Sequence, residues 1–458
     1  RVAIWAPNCT EWILAALGIH CVGAVMVPIN TRMKGGEAAD ILERSGSRIL
    51  FSVGDFLGVN YPAMIEAVRP ATLEKLVVFA ENGTQAPTDR SWQAFLAEGQ
   101  GIPEGQARAR AEAVQPDDLS DLMFTSGSSG TPKGVIHSHG NALAAVRAGL
   151  SARRIDLDTR LYVPMPFFWV GGFGTGLLSV LVAGATLVTE AIPQPESTLR
   201  LMERERVTSF RGWPAQAEEL ARHAAELGAD LSSLRPGSLE ALLPADQRSA
   251  PGARANLLGM TESFGPYCGY PMDTDMPRSA WGSCGRPFDG VDVRLMDPET
   301  GDPVPPGAVG MIHLRGPQLL RGICRRSRED VFTPDGFYPT GDLGRLDEDG
   351  FLFYHGRCDD MFKVSGATVY PSEVQAALRE IPGVRGAFVT EVEGRVGAAV
   401  VGDGLSAEEL RSQARTRLSA FKVPTVWLVL RSDDDVPHGP TGKPDVRLLR
   451  ELLAGTLR

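Results

Sequence analysis

Lysine is scarce in this chain: only six of its 46 basic residues are lysine, namely Lys34, Lys75, Lys133, Lys363, Lys422 and Lys443. Against a background this rich in arginine and alanine, lysine is expected mainly where arginine cannot replace it. Positive charge is also in deficit, with 56 acidic residues and a formal net charge of −10. That argues against a broad nucleic-acid-binding surface, which needs a basic patch, while leaving room for a local phosphate site. No apolar run reaches the ~20 residues that span a bilayer. The longest, Leu177 to Val188, is interrupted by Ser179, Gly184 and Thr186. The six cysteines (Cys9, Cys21, Cys268, Cys284, Cys324, Cys358) form no CxxC pair. Such scatter suits a reducing, cytoplasmic setting and neither a zinc knot nor a disulfide frame, and all six read as structural. The first residue is Arg1, not Met, and Val2 to Trp5 already reads as a buried strand. The numbering is therefore expected to begin inside a longer chain, with any targeting segment upstream.

The length of 458 residues predicts two or three structural units, and glycine plus proline supply 84 residues, a share that implies many tight turns. Apolar Val2 to Trp5, helical Thr10 to Val22, apolar Ala24 to Pro28, helical Gly36 to Ser45 and apolar Arg48 to Val53 follow the βαβα rhythm of a parallel sheet covered by helices. Thr10 before Trp12 and Ile13 reads as an N-cap. Residues 82–118 read as a surface connection with one short helix around Trp92 to Ala97. Strand, turn and helix resume at Leu119. From Val291 the pattern shortens to Val291 to Leu295, Gly310 to Arg315 and Gly350 to Tyr354, a small antiparallel unit. After Gly356 a compact run predicts helix Ser372 to Glu380, strands Gly386 to Glu391 and Arg395 to Val401, and helix Ser406 to Leu418. The expected architecture is α/β: a large N-terminal domain of parallel-sheet subdomains packed with helices plus a small β-rich unit, over residues 1–356. A junction at 357–360 would join it to a small mobile α+β C-terminal domain, residues 361–458.

Five segments carry chemistry. In LMFTSGSSGTPKG, residues 122–134, an apolar strand runs into a loop of hydroxyls and glycines that ends in a lysine. Glycines let backbone N–H groups converge, hydroxyls add donors and Lys133 adds charge, so this loop can wrap a polyphosphate. It lacks the GxxxxGK[ST] spacing of a Walker A loop. In LGMTESFG, residues 258–265, Thr261 and Glu262 stand together after an apolar segment, as a magnesium and phosphate site or equally as an ordinary helix cap. In YPTGDL, Asp342 would accept two ribose hydroxyls or simply make an Asx turn, the commoner case for such a turn alone. GRCDDMFKVSG, residues 356–366, and PTGKP, residues 440–444, complete the set. Lys133, Lys363 and Lys443 all stand in glycine-containing loops, where a compact ammonium reaches one point beside an anion better than a planar guanidinium does.

Taken together and in this order, the five segments resemble the adenylate-forming superfamily of acyl-CoA synthetases, nonribosomal adenylation domains and firefly luciferase. The resemblance runs from Val2 to Leu452. It implies that Thr125, Ser126, Gly127, Ser128, Ser129, Gly130, Thr131 and Lys133 hold the ATP phosphates. Glu262 would bind Mg2+ with Thr261 beside a phosphate. Glu240, Ala241, Leu258, Gly259 and Met260 would frame the adenine, Asp342 would hold the ribose and Arg357 would lie near ribose and phosphates. Asp359 would be the hinge, and Lys443 would bridge the substrate carboxylate and the α-phosphate. Lys363, Ser365 and Gly366 would serve the second half-reaction, with CoA as co-substrate.

Several positions depart from the family pattern. Leu258 replaces the usual aromatic that packs on adenine, and Leu239 and Glu240 stand where glycines are common. Trp169 stands where a histidine often follows the phenylalanine, and Thr368 where some relatives carry arginine. The segment PMPFFWVGGFG, residues 164–174, has no aspartate to pair with a substrate ammonium, which disfavours an amino acid. Phe168, Trp169, Gly171, Gly172 and Phe173 would instead line an apolar tunnel for a hydrophobic carboxylic acid, unless these aromatics are plain core packing. The expected activity is ATP-dependent carboxylate-CoA ligation. Transfer of the acyl group to a carrier protein is the alternative, and a non-catalytic nucleotide-binding protein of the same fold a second one. No transmembrane segment is expected, and a homodimer is left open.

Overall fold

The computed structural model describes residues 1–79, 90–125, 132–364, 367–439 and 444–457. The chain folds as two compact units. The first comprises Arg1–Val293, Leu314–Tyr338 and Asp349–Leu352, and the second Arg294–His313, Pro339–Glu348 and Phe353–Arg458.

The first unit is organised by a seven-stranded sheet in the order Gly322–Ile323, Lys133–Ser138, Leu119–Thr125, Met26–Pro28, Val2–Trp5, Ile49–Ser52, Lys75–Val78. Neighbours from Leu119–Thr125 to Lys75–Val78 pair in parallel, and Lys133–Ser138 turns back antiparallel on Leu119–Thr125. Parallel strands covered on both faces read as near-continuous apolar runs, and Ala3, Ile4, Val27, Leu50 and Val77 are almost wholly buried. The helix Thr10–Cys21 packs Trp12, Ala15, Ala16 and Ile19 into this core. Its N-cap is Cys9, whose Sγ accepts from Trp12 N–H at 3.4 Å, and Thr10 is the first helical residue. The expected cap is thus displaced by one position, because the extended residue is the cysteine.

Between Arg90 and Asp118 there are two helices. Trp92–Gly99 was expected, and Ser91 caps it. Glu104–Glu112 was not, and it buries no residue, so it leaves no apolar periodicity to read. A second, three-stranded parallel sheet places Arg160–Tyr162 between Thr186–Val188 and Ser209–Phe210. The apolar run noted above is not one element. A π-helical turn, Phe173–Leu178, leads into the helix Ser179–Ala183, which stops at left-handed Gly184 before the strand Thr186–Val188.

In the second unit, residues 294–296, 310–313, 339–346 and 353–357 lie side by side in one sheet in that order. Residues read as a turn at YPTGDL belong to a nine-residue strand, Tyr338–Leu346, and Gly341 at φ +75° supplies the turn-like irregularity within it. Further on, strands Val384–Val392, Arg395–Gly402 and Val426–Leu430 form a sheet covered by helices Pro371–Arg379, Ala407–Arg415 and Val446–Gly455. The expected pairs of strands and helices are present. The third strand and the last helix escaped the reading of the sequence. Among the described residues no helix is long and apolar enough to cross a membrane, and all six cysteines are free.

Candidate active site

The hairpin Leu119–Thr125 and Lys133–Ser138 carries the glycine-rich loop at its tip, and Ser126 to Thr131 of that loop lie outside the described residues. The register opposes Thr125 to Lys133, so both face the base of the loop together. Thr125 Oγ1 is buried and has no hydrogen-bond partner among the described residues. Such an orphaned hydroxyl costs free energy unless something accepts or donates there, which suits a phosphate oxygen. The loop's far end is anchored. Arg44 Nη2 donates to Pro132 O at 2.7 Å, and Cys324 N–H donates to Gly134 O at 2.8 Å.

Lys133 Nζ is ion-paired with Glu262 Oε1, and Tyr338 Oη donates to the same oxygen at 3.1 Å. Glu262 is 4% exposed and sits in a single 3-10 turn, Thr261–Ser263, after the strand Leu258–Met260. This turn is held on three sides. Leu320 N–H donates to Glu262 O at 2.8 Å, and Ser263 Oγ donates to Gly265 O at 2.7 Å. The third hold is a relay from the hairpin. Asn141 accepts from Ser138 N–H through Oδ1 at 2.7 Å, which fixes its amide, so Nδ2 donates to His137 Nδ1 at 2.8 Å. The proton of His137 must then be on Nε2, which donates to Thr261 O at 2.9 Å. Burial pushes the His137 pKa down to about 4, keeping the ring neutral for this role.

Phe264 follows in the left-handed region at φ +51°, and its ring covers Gly174, where a Cβ would come within 2.9 Å of it. Gly259 has no room for a side chain, because a Cβ would lie 2.5 Å from the backbone of Gly265. Leu258 and Met260 flank it, half-buried. Glu240 and Ala241 occupy a 3-10 turn, Glu240–Leu242. The Glu240 carboxylate accepts from Ser249 N–H at 2.8 Å, and Arg248 Nη2 donates to Ala241 O at 3.1 Å. The protein's own groups therefore engage both residues, and the family's glycine pair is replaced by a closed turn.

The aromatic segment divides. Phe167 and Phe173 are fully buried and pack on Trp12, with ring centroids at 5.2 and 5.5 Å. Trp169 is half-buried between Phe168, exposed Trp213 at 6.2 Å and the Arg32 guanidinium at 5.8 Å. A Cβ on Gly172 would meet Pro166 O at 2.1 Å, whereas one on Gly171 would meet only the flexible Met165 sulfur at 3.0 Å.

In the second unit Arg357 joins two of the expected residues. Its Nη1 donates to Asp342 Oδ1 at 3.0 Å and to Thr340 O at 2.8 Å, and its Nη2 reaches Asp359 at 3.3 Å. Burial opposes the charged guanidinium, yet Asp342 outweighs it and holds the Arg357 pKa above its ordinary value. A Cβ on Gly341 would lie 2.6 Å from Arg357 Nη2, so the glycine makes room for the pair. Lys363 has its backbone in the strand Phe362–Val364, while its side chain, Ser365, Gly366 and Lys443 lie outside the described residues.

Reading the sequence missed His137, Asn141 and Tyr338. It missed also Asp121, fully buried on the strand Leu119–Thr125 and paired with His20 at 3.2 Å.

A buried carboxylate and a lysine converge beside a glycine-rich loop on a parallel sheet, and the comparison with known families agrees with that geometry. The family described as AMP-binding enzyme matches residues 1–324. The chain belongs to this family, within the adenylate-forming superfamily. It is 35% identical over 99% of its length, and 89% of the relative's, to the 3-[(3aS,4S,7aS)-7a-methyl-1,5-dioxo-octahydro-1H-inden-4-yl]propanoyl:CoA ligase of Mycobacterium tuberculosis. It is 32% identical to a feruloyl-CoA synthase of Amycolatopsis sp, over 93% of this chain and 83% of that one. Among solved structures, an anthranilate CoA ligase with anthranoyl-AMP superposes with a TM-score of 0.80 at 24% identity, covering 100% of this chain and 88% of that one. An amide bond synthetase of Marinactinospora thermotolerans gives 0.79 at 27% identity, over 98% and 89%.

Proposed function

We propose that this AMP-binding enzyme is an ATP-dependent carboxylate-CoA ligase. It activates a hydrophobic carboxylic acid as its acyl-AMP with release of pyrophosphate, and then transfers the acyl group to the thiol of CoA. The observation that carries this reading is the Lys133–Glu262 ion pair beside the unpartnered Thr125 hydroxyl. In the nucleotide complex both partners would exchange each other for ligand, Lys133 and Thr125 turning to the β- and γ-phosphates and Glu262 to the cation. The relatives, CoA ligases for a bicyclic and an aromatic acid, support the reaction and a bulky apolar substrate.

The donor set fits magnesium carried in by the nucleotide. Mg2+ is usually held by one or two carboxylates plus substrate phosphates, and among the described residues no cluster of three His, Cys, Asp or Glu could cage a metal. Glu262 alone would hold it, where it would offset charge on the phosphates. The chain's own residues do the rest. Asp342, oriented by Arg357, accepts the ribose hydroxyls. Lys443 bridges the attacking carboxylate and the α-phosphate, where two anions must approach and charge builds on the phosphoryl oxygens. Residues 361–458 act as the lid and Asp359 as its hinge, so that Lys363, Ser365 and Gly366 replace Lys443 for thiol attack. Phe168, Trp169, Gly171 and Gly172 shape the acyl pocket, whereas Phe173, fully buried against Trp12, is core packing. A cytoplasmic setting fits six free cysteines.

The test is pyrophosphate release from ATP and Mg2+ across fatty, aryl, alicyclic and amino acids, with and without CoA. Steady CoA-dependent turnover with one hydrophobic class is the expected result. A single CoA-independent burst would point to a carrier-protein acceptor, and silence across the panel would leave a nucleotide-binding protein without turnover.

A further inference from the structure

Two shielded guanidiniums lie together in the first unit, and neither has a carboxylate partner among the described residues. Arg153, 2% exposed, donates to the carbonyls of Val146, Gly149 and Thr175 and to Ser179 Oγ, at 2.8 to 3.1 Å. Arg211 donates to Gly237 O at 2.6 Å and to Arg153 O, while its Nε, sealed from water, has no partner among the described residues. Burial lowers their pKa values to about 9 for Arg153, which also feels the charge of Arg211, and about 10 for Arg211. Withdrawing a charge from water is costly unless an opposite charge compensates it, and backbone carbonyls supply only partial charge.

Arg211 borders a cavity of about 460 Å3. Its lining includes Arg154, Arg235, Asp156, Asp273 and the hydroxyl-bearing Thr159 and Thr208. Both carboxylates are already engaged. Asp273 accepts from Arg154 Nε at 2.8 Å, and Asp156 accepts from Asp158 N–H and Thr159 Oγ1 within its own turn. Arg235 is exposed, and its guanidinium has no partner among the described residues. With three arginines against two carboxylates, of which Asp273 is paired with Arg154, the lining carries one positive charge in excess, on the side of Arg211 and Arg235. Thr159 and Thr208 immediately precede the parallel strands Arg160–Tyr162 and Ser209–Phe210, whereas the aromatic segment around Trp169 follows the first of them. Arg211, also in the lining, immediately follows Ser209–Phe210, so the cavity is bordered by residues at both ends of that short strand.

We propose that this cavity binds a small oxyanion, a carboxylate or a phosphate group, with Arg211 and Arg235 as its counter-charge. The ligand is either the far end of an acid substrate that carries a second anionic group or a separate anion.

Thermal denaturation of the full chain in sodium phosphate against sodium chloride at equal ionic strength tests this without requiring turnover, so its outcome is independent of the proposed ligase activity. The expected result is a midpoint about 2–4 °C higher in phosphate for the wild type, the size of shift that filling one such site brings. R211M should lose that response, its midpoint in chloride serving as its own reference because the variant also gives up the hydrogen bonds to Gly237 O and Arg153 O. Taking the difference between the two proteins cancels phosphate bound at the Lys133 loop. Should R211M not fold, R235Q at the exposed rim is read in the same way. Equal phosphate responses in wild type and variants would overturn the proposal. The source of the ligand follows from pyrophosphate release. Phosphate inhibition competitive with the acid, with at least a tenfold lower preference of R211M for an α,ω-dicarboxylic over the matched monocarboxylic acid, assigns the far end of the substrate. Variant-sensitive phosphate binding without competition assigns a separate anion.

Discussion

Lys133 and Glu262 form an ion pair in which the lysine is 28% exposed and the carboxylate 5%. The two ends are therefore unequal: the ammonium still reaches water, while the carboxylate depends on Lys133 and on Tyr338 for its solvation. Removing the lysine strands a buried charge, but neutralising the carboxylate strands nothing of comparable cost. We predict that K133M loses about 1–3 kcal/mol more stability than E262Q, the upper range for buried pairs being reduced by the lysine's exposure. Thermal denaturation of both variants without nucleotide checks it, and equal losses would show that the pair is not asymmetric. In pyrophosphate release, E262Q should lower kcat about a hundredfold or more, the size of effect expected for a group that stabilises transition-state charge.

The two half-reactions should separate at Lys443. K443A is expected to abolish acyl-AMP formation while still permitting transfer from preformed acyl-AMP to CoA, because the lysine is required only where two anions meet. Supplying the adenylate directly and following thioester formation measures the second step alone. Equal loss of both steps in a folded variant would reject the alternating lid.

Neighbouring glycines in the acyl segment should respond in opposite ways. A Cβ at Gly172 would overlap Pro166 O at 2.1 Å, and a backbone oxygen cannot move aside cheaply. At Gly171 the obstacle is the Met165 sulfur at 3.0 Å, the end of a flexible side chain. G172A should therefore cost about 1–3 kcal/mol through strain, whereas G171A should remain nearly as stable and shift preference toward smaller acids. Melting points and the ratio of kcat/KM for a bulky against a small acid distinguish the two. An unchanged ratio in G171A would remove Gly171 from the acyl pocket.

The hairpin strands that flank the glycine-rich loop, the Thr261–Glu262 turn and the general α/β plan were legible in the sequence because each leaves a local mark. A glycine-rich run ending in lysine, a carboxylate after a short apolar strand and a βαβα rhythm can all be read within a dozen residues. What escaped was set by partners distant in the chain. Tyr338 reaches Glu262 across 76 positions and His137 reaches Thr261 across 124, and no local pattern announces such contacts. Cys9 displaced Thr10 as helix cap because the choice depended on which residue stayed extended. The helix Glu104–Glu112 buries nothing and so carried no periodicity. Glu240 departs from the family's glycines, and only the structure shows that its carboxylate closes a turn on Ser249.

His137 makes the site's stability depend on pH in a definite direction. Its folded pKa of about 4 lies below the ordinary value of 6.5, chiefly through burial. A depressed histidine pKa means that the unfolded chain binds the proton first. The contribution is therefore complete above pH 6.5 and is lost as pH falls from 6.5 toward 4, where the folded form also protonates. By pH 5 the loss amounts to about 2 kcal/mol. In H137Q the side chain stays neutral throughout, and its amide N–H can still donate to Thr261 O. Its urea midpoint should fall less than the wild type's between pH 7 and pH 5, by an amount equivalent to that loss. His20 works in the opposite sense and is common to both proteins. Burial opposes its charge, but Asp121 raises its pKa, so its contribution is present below pH 6.5 and fades as pH rises through the raised value. It cancels in the comparison. Parallel pH profiles for wild type and H137Q would mean that His137 is already solvated in the folded protein, and the relay that holds the Thr261–Glu262 turn would have to be redrawn.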